Sequence, residues 1–321
     1  MKFGTVSKAA IVSCLALLGA AGATAAADLK VAVLKTANVL SLQHAVDAGY
    51  FRDEGLNVEV STLNNGPAVA SAVVSGSADI GFAAAVAVVS ARANNQPVRF
   101  FSNLALETKT GNSIWLIAPE RAGNIKVADL KGKTIAINAA GGQCELVVRT
   151  NLKAVGLAWE DVKPLVLPFP QIPAALQLGN ADAGCVLEPF YSASRLSPEI
   201  KAQVLVPGTM PDMKDDYFGL MDGFFATDEW LKANTDSATR FAKAVARSNS
   251  DIMKDPSIMA ALMEKQLGVK PEIAAAARIN LDTRPGPVAE KDFQNLIDLM
   301  TAAGMLAGPV KASDLVFPVN Y

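Results

Sequence analysis

Histidine and cysteine are nearly missing from this chain. Its 321 residues hold one histidine, His44, and three cysteines, Cys14, Cys144 and Cys185. No CxxC pair occurs and no His/Cys cluster has metal-site spacing, so neither a resident metal nor another cofactor is expected. A GxxxxGK[ST] phosphate loop is missing too, which excludes an ATPase built on that loop. Charge is sparse: Asp, Glu, Lys and Arg make up 19% of residues, the formal net charge is −2, and basic residues form no run. Such a surface offers nothing to nucleic acid or to an anionic membrane. Beyond the first residues, no apolar stretch reaches the roughly 20 residues that span a bilayer.

Apolar residues are abundant, at 51%. That suffices for a large core divided between two domains. The first stretch differs in kind: Lys2 and Lys8 precede an apolar run from Ala9 to Ala23, and "ATAAAD" then places small residues at the Ala-x-Ala spacing of a signal peptidase site. Residues 1–27 are read as a secretory signal, with Asp28 first after cleavage and the periplasm as destination. Cys14 opens the apolar run, where a lipid-anchor cysteine would have to follow it. Cys144 and Cys185 could pair in an oxidising compartment, but two small buried thiols are the favoured expectation.

A short segment occurs twice. Residues 75–82 read "SGSADIGF" and residues 178–185 read "LGNADAGC". Each lies at the end of the same series. "LKVAVL", a helical pattern over 41–52, "NVEVST", a helix opened by Gly66-Pro67 and "ADIGF" give β-α-β-α-β. "KTIAIN", a helix over 142–157, "VKPLVLPF", a helix opened by Pro173 and "ADAGCVL" repeat that order. Alternation of this kind specifies right-handed crossovers and a parallel sheet covered on both faces. The expected fold is α/β with two lobes, each a mostly parallel sheet flanked by helices, and a ligand cleft beyond the strand ends. The expected boundaries are 28–117 for the first part of lobe one, 118–216 for lobe two, and 217–321 for the return strand and C-terminal helices. Helices are expected over 228–254, 256–267, 271–280 and 288–304.

The segments "AVDAGYFRDEGLNVEV", "VVSGSADIGF", "ADLKGKTIAI" and "PAALQLGNADAGCVLEPF" together resemble the periplasmic solute-binding proteins of ABC importers. The branch is the one that handles nitrate, taurine, alkanesulfonates and thiamine-pyrimidine precursors. The resemblance implies a type II periplasmic binding fold, a small-molecule solute, delivery to an inner-membrane permease, a monomer, and no catalysis. Fungal pyrimidine synthases resemble the same fold and use a histidine with a cysteine-rich iron-binding segment. The cysteine cluster is missing here, and His44 falls within a helical pattern.

Candidate ligand contacts come from the strand ends. In lobe one they are Lys35, Asn38, Asn65, Gly66, Phe82 and Ala83; in lobe two, Asn138, Gly141, Gly142, Gln143, Glu188 and Phe190. Lys35 could pair with an anion. Gly141 and Gly142 would let a helix N-terminus approach a carboxylate, sulfonate or carbonyl. Glu188 could accept hydrogen bonds from a ring N–H, an amine or a hydroxyl. Trp115, Phe169 and Phe190 are candidates for an aromatic wall. With no cluster of cations, a small organic solute, aromatic or heterocyclic, is favoured over a bare inorganic anion.

Overall fold

A computed structural model describes Met1 and residues 27–108, 113–208, 217–284 and 288–321. Residues 2–26 of the expected signal segment lie outside the described residues.

The chain opens with β1 (Ala27–Leu34), α1 (Leu40–Asp47), α2 (Tyr50–Asp53), β2 (Leu56–Leu63), α3 (Gly66–Val74), β3 (Ile80–Ala84), α4 (Ala85–Ala93) and β4 (Val98–Thr108). Next come β5 (Ile114–Ala118), β6 (Thr134–Ile137), α5 (Gln143–Ala154), β7 (Lys163–Val166), α6 (Ile172–Leu178), β8 (Ala183–Leu187), α7 (Phe190–Leu196) and β9 (Gln203–Pro207). It returns through β10 (Tyr217–Thr227) and closes with α8 (Asp228–Ala233), α9 (Thr235–Lys254), α10 (Pro256–Leu262), α11 (Pro271–Ala276) and α12 (Lys291–Ala302). The helix expected over 41–52 is broken at Gly49, and the one over 228–254 divides at Asn234.

Among the described residues the strands form two five-stranded sheets, ordered β2-β1-β3-β10-β4 and β7-β6-β8-β5-β9. In each, three strands pair in parallel. The fourth position is antiparallel to both neighbours, β10 in one sheet and β5 in the other. Both sheets are therefore mixed, with one reversed strand. A boundary at residue 117 would leave β5 with lobe one, but its ladder with β8 and β9 puts it in lobe two, so the first crossing precedes Ile114.

The repeated segment does the same job in both lobes. Gly76 (φ +75°) and Gly179 (φ +82°) turn the chain out of α3 and α6 through the left-handed region. The two N–H groups after each turn return to one helix carbonyl: Ser77 and Ala78 to Ala72, Asn180 and Ala181 to Ala175. Asp79 then locks to Lys30, its N–H donating to the Lys30 carbonyl at 2.9 Å and its carboxylate accepting the Lys30 N–H at 2.8 Å. Asp182 makes the same pair with Thr134, both at 2.8 Å. The two aspartates thus pin β3 to β1 and β8 to β6. The glycine that follows lets the preceding helix close in: a Cβ on Gly81 would stand 2.8 Å from Val73 Cγ2, and one on Gly184 would stand 2.7 Å from Ile172 Cγ2.

Each lobe has its own core. The largest fully buried side chains are mostly phenylalanines, and Phe82, Phe100, Phe101, Phe224, Phe225, Phe241 and Phe293 all belong to lobe one. Lobe two carries a disulfide instead. Cys144 and Cys185, expected as separate thiols, are bonded, with Cα atoms 5.6 Å apart. The first turn of α5 lies over β8, which brings together two cysteines 41 residues apart in sequence.

Closing a loop of that length restricts the unfolded chain by about 4 kcal/mol in the chain-entropy model. Replacing both cysteines by alanine should lower unfolding stability by an amount of that order, read from urea denaturation against the oxidised parent. An unchanged midpoint would show that the pair is not closed in solution.

Candidate functional site

The two lobes meet with their strand ends facing. Between them lies a narrow cavity lined by residues of both lobes, with room for about one water molecule as the lobes stand here. Lobe one supplies Leu34 and Thr36 from the end of β1, Gly66 and Pro67 from the start of α3, Phe82, Ala84 and Ala87 across the β3–α4 join, and Asp222 from β10. Lobe two supplies Asn138 after β6, Gly142 and Gln143 at the start of α5, Phe169 after β7, and Leu187 at the end of β8. Three helices begin at this wall, so their N-terminal partial positive charges gather there. Asn65 caps α3, its side-chain oxygen accepting the Ala68 N–H at 2.9 Å. By contrast, α4 has no side-chain cap at all.

Three buried polar atoms on this wall have no hydrogen-bond partner among the described residues: Thr36 Oγ1, Asn138 Oδ1 and Asp222 Oδ1. Their residues are 2%, 8% and 3% exposed. Buried polar atoms are almost always paired, so orphans from both lobes around one space leave acceptors open to a ligand or a water. Among the described residues, Asp222 is the only titratable side chain on the wall. Asn38 donates to its other oxygen at 2.6 Å. Burial pushes the carboxyl up to about 7, against the hydrogen bond from Asn38 and the nearby Ala105 N–H, which favour the ionised form. Asp222 sits at an irregularity in the ladder between β10 and β4, a common device for aiming a side chain out of a sheet.

Of the residues expected from sequence, Gly66, Phe82, Asn138, Gly142 and Gln143 border the cavity. Asn38 reaches it through Asp222. Ala83 is buried beside the wall and pairs with Gly223 of β10. The others lie elsewhere. Lys35 is exposed and borders a separate groove with Gln43, Val60 and Gln266. The Gly141 N–H is taken by Glu145 at 2.8 Å, inside its own turn. Phe190 stacks on Phe169 at 6.4 Å, backing the wall, and Trp115 stacks on Tyr191 at 4.3 Å.

Glu188 joins the lobes. Its side chain accepts from the Ser192 N–H and hydroxyl at 3.1 and 2.9 Å and from the Arg278 N–H at 3.3 Å, while its carbonyl accepts from the Ala37 N–H at 3.3 Å. Burial raises its carboxyl above the ordinary value despite these bonds. The Glu188-Pro189 peptide is cis.

Sequence reading missed Asp222 and passed over Thr36. The signal for Asp222 was present: it is the one charged residue in the apolar strand "FGLMDGFFAT".

The raised value means that the folded chain holds the Asp222 proton more tightly than the unfolded chain, where the carboxyl ionises near 3.8. Ionisation therefore costs stability. The cost is absent below about pH 4, grows as the pH rises, and is complete above about 7. The substitution Asp222→Asn removes it. The variant should match the parent in urea denaturation near pH 4 and exceed it near pH 8, by up to about 4 kcal/mol. A difference independent of pH would place the carboxyl in a wetter setting than the structure gives it.

The wider likenesses agree with this architecture. The family model described as NMT1/THI5 like matches residues 36–258. A 4-amino-5-hydroxymethyl-2-methylpyrimidine phosphate synthase of Aspergillus parasiticus is 25% identical over 260 residues, covering 78% of this chain and 73% of its own. The alkanesulfonate-binding protein SsuA of Xanthomonas axonopodis pv. citri, solved with MOPS bound, superposes with a TM-score of 0.75 at 21% identity over 89% of this chain and 96% of that one. The periplasmic nitrate-binding protein NrtA of Synechocystis superposes with a TM-score of 0.64 at 17% identity, over 77% and 68% of the two chains. At such identities the structural likenesses establish the periplasmic binding protein fold. With well over half of its length matched by the family model, the chain belongs to the NMT1/THI5-like family.

Proposed function

We propose that this chain is the solute-binding component of an ABC importer, working in the periplasm, which closes its lobes on a small organic solute and delivers it to a membrane permease. The observation behind this reading is the set of unpartnered buried polar atoms facing one cavity from both lobes. A solute bonded to Thr36 or Asp222 on one side and Asn138 on the other is fully held only when the lobes are shut. Its binding therefore shifts an open/closed equilibrium. The direct ties between lobes are modest. Among the described residues, besides the Glu188 bonds, Lys153 Nζ donates to the Ala302 carbonyl at 2.9 Å, and Leu146 of α5 packs into the apolar cluster of lobe one. Such bonds are worth roughly 1 kcal/mol each, so the solute can decide the balance. The ATP-driven step belongs to the importer's own ATPase.

A pyrimidine phosphate synthase is the second reading, favoured by the likeness to the Aspergillus protein. Against it stands the position of His44, the histidine such chemistry would employ. His44 lies on α1 with Nε2 3.8 Å from Asp251 and its ring edge-on to Tyr50, and it does not border the cavity.

The test is thermal denaturation of the protein with alkanesulfonates, aromatic carboxylates, pyrimidines, flavins and nitrate. A solute at a hundred times its Kd adds about 2.7 kcal/mol, which raises Tm by about 5 °C or more. The bound compound should be recovered chemically unchanged by chromatography. Conversion to a new product would favour the synthase, and a flat panel would remove solute capture from this cavity. The variant Gly142→Leu should weaken binding of any hit at least about tenfold by crowding the wall, because a Cβ there already stands 3.6 Å from Asn138 Oδ1.

A further inference from the structure

Asp222 is a full charge in a cavity that otherwise carries only partial ones. The residue lines the solute space, its Oδ1 is buried with no hydrogen-bond partner among the described residues, and Asn38 holds the other oxygen in place. The remaining polar atoms that face it are neutral: Thr36 from the segment after β1, and Asn138 and Gln143 from lobe two. Among the described residues no basic side chain lines this wall. Around β10, α3 contains no ionisable residue, Arg92 of α4 pairs with Asp228 at the far end of the strand, and Asp298 of α12 accepts from Gln294. On the β4 side, Glu107 accepts the Ser113 N–H at 2.9 Å, and Asp282 is held by Arg284 and Asn103. None of these charges contributes to the behaviour of Asp222, which burial dominates.

Resting on the solute-binding reading above, the geometry points to Asp222 as the group that selects the solute by charge. The cleft takes a solute that donates an N–H or O–H hydrogen bond to Asp222 Oδ1, neutral or cationic at that end, and rejects one that places a sulfonate, carboxylate or nitrate there.

The helix N-termini at the wall pull the other way, toward an anion. They act with fractions of a charge at the end of a dipole, whereas an ionised carboxylate opposes an anion with a whole charge in a poorly screened space. The carboxylate therefore decides the end of the solute that meets lobe one. The termini of α4 and α5 are left to receive a carbonyl or ring-nitrogen acceptor elsewhere on the same molecule. Protonation at acid pH turns Asp222 into a donor and relaxes the exclusion. Donor solutes should thus bind more tightly as pH rises, and anionic ones more tightly as it falls.

Four probes with one ring and different head groups separate these cases: benzamidine, benzamide, benzoate and benzenesulfonate. Each is titrated into the parent protein and Asp222→Asn near pH 5.5 and near pH 8.5, by thermal shift and by calorimetry in two buffers of different ionisation enthalpy. Hits from the solute panel are scored by the same rule. The expected result is binding of the amidine and amide with affinity rising up to about 30-fold between the two conditions, proton release near neutrality, and loss of both effects in Asp222→Asn. Binding of an anion near pH 8.5 that Asp222→Asn leaves unaltered would overturn the selection by charge while solute capture stood. Silence of every probe and panel compound in both proteins would overturn solute capture and this inference together. If Asp222→Asn does not fold, the pH dependence and proton count of the parent decide alone.

Discussion

The molecule depends on one clamp used twice. In each lobe an aspartate just past a helix-ending glycine bonds through both its N–H and its carboxylate to one residue of the parallel strand beside it, Lys30 of β1 or Thr134 of β6. The contact fixes the parallel register of β1 with β3 and of β6 with β8, pairing Ala32 with Gly81 and Ala136 with Gly184. Once register is set, the strands finish at matching levels, and everything beyond them is cavity wall. Parallel neighbours without a connecting hairpin have no local turn to fix their register, so a side chain must do it.

The wall built on those strand ends is mostly apolar, and in the proposed reading its few polar atoms carry the recognition. Leaving a buried acceptor without a partner is costly, on the order of 1–3 kcal/mol. Three such atoms around one space are therefore a standing preference for a partner that fits them. Aromatic residues, at 6% of the chain, are placed with economy. Phe82 and Phe169 form opposite parts of the wall, supported from behind by Phe224 and Phe190.

Lobe two is the smaller lobe, and its core lacks the cluster of large phenylalanines that fills lobe one. The disulfide compensates where it matters, tying the first turn of α5 to β8 just behind Gly142 and Gln143. Glu188, the residue that follows β8, uses its oxygens on Ser192, Ala37 and Arg278. A carboxylate that looks available for ligand in the sequence is spent in the structure on holding its own helix and touching the other lobe.

The alternation of strands and helices, the glycine and proline at helix ends and the duplicated "AD-x-G" segment were enough to determine two similar lobes, because each of these is local chemistry that acts within a few residues. The same local logic points to Gly66, Phe82, Asn138, Gly142 and Gln143 at or just after strand and helix ends, and these residues border the cavity. Tertiary structure alone decided the rest. Lys35 directly follows β1, but its side chain leaves the cleft and borders another groove. Gly141 spends its N–H on Glu145. Cys144 meets Cys185 only when α5 lies over β8. Asp222 lies 138 residues beyond its ladder partner Ala84, since 222 − 84 = 138. Its role arises from the return of β10 between β3 and β4, a pairing across the whole second lobe that no local pattern can encode.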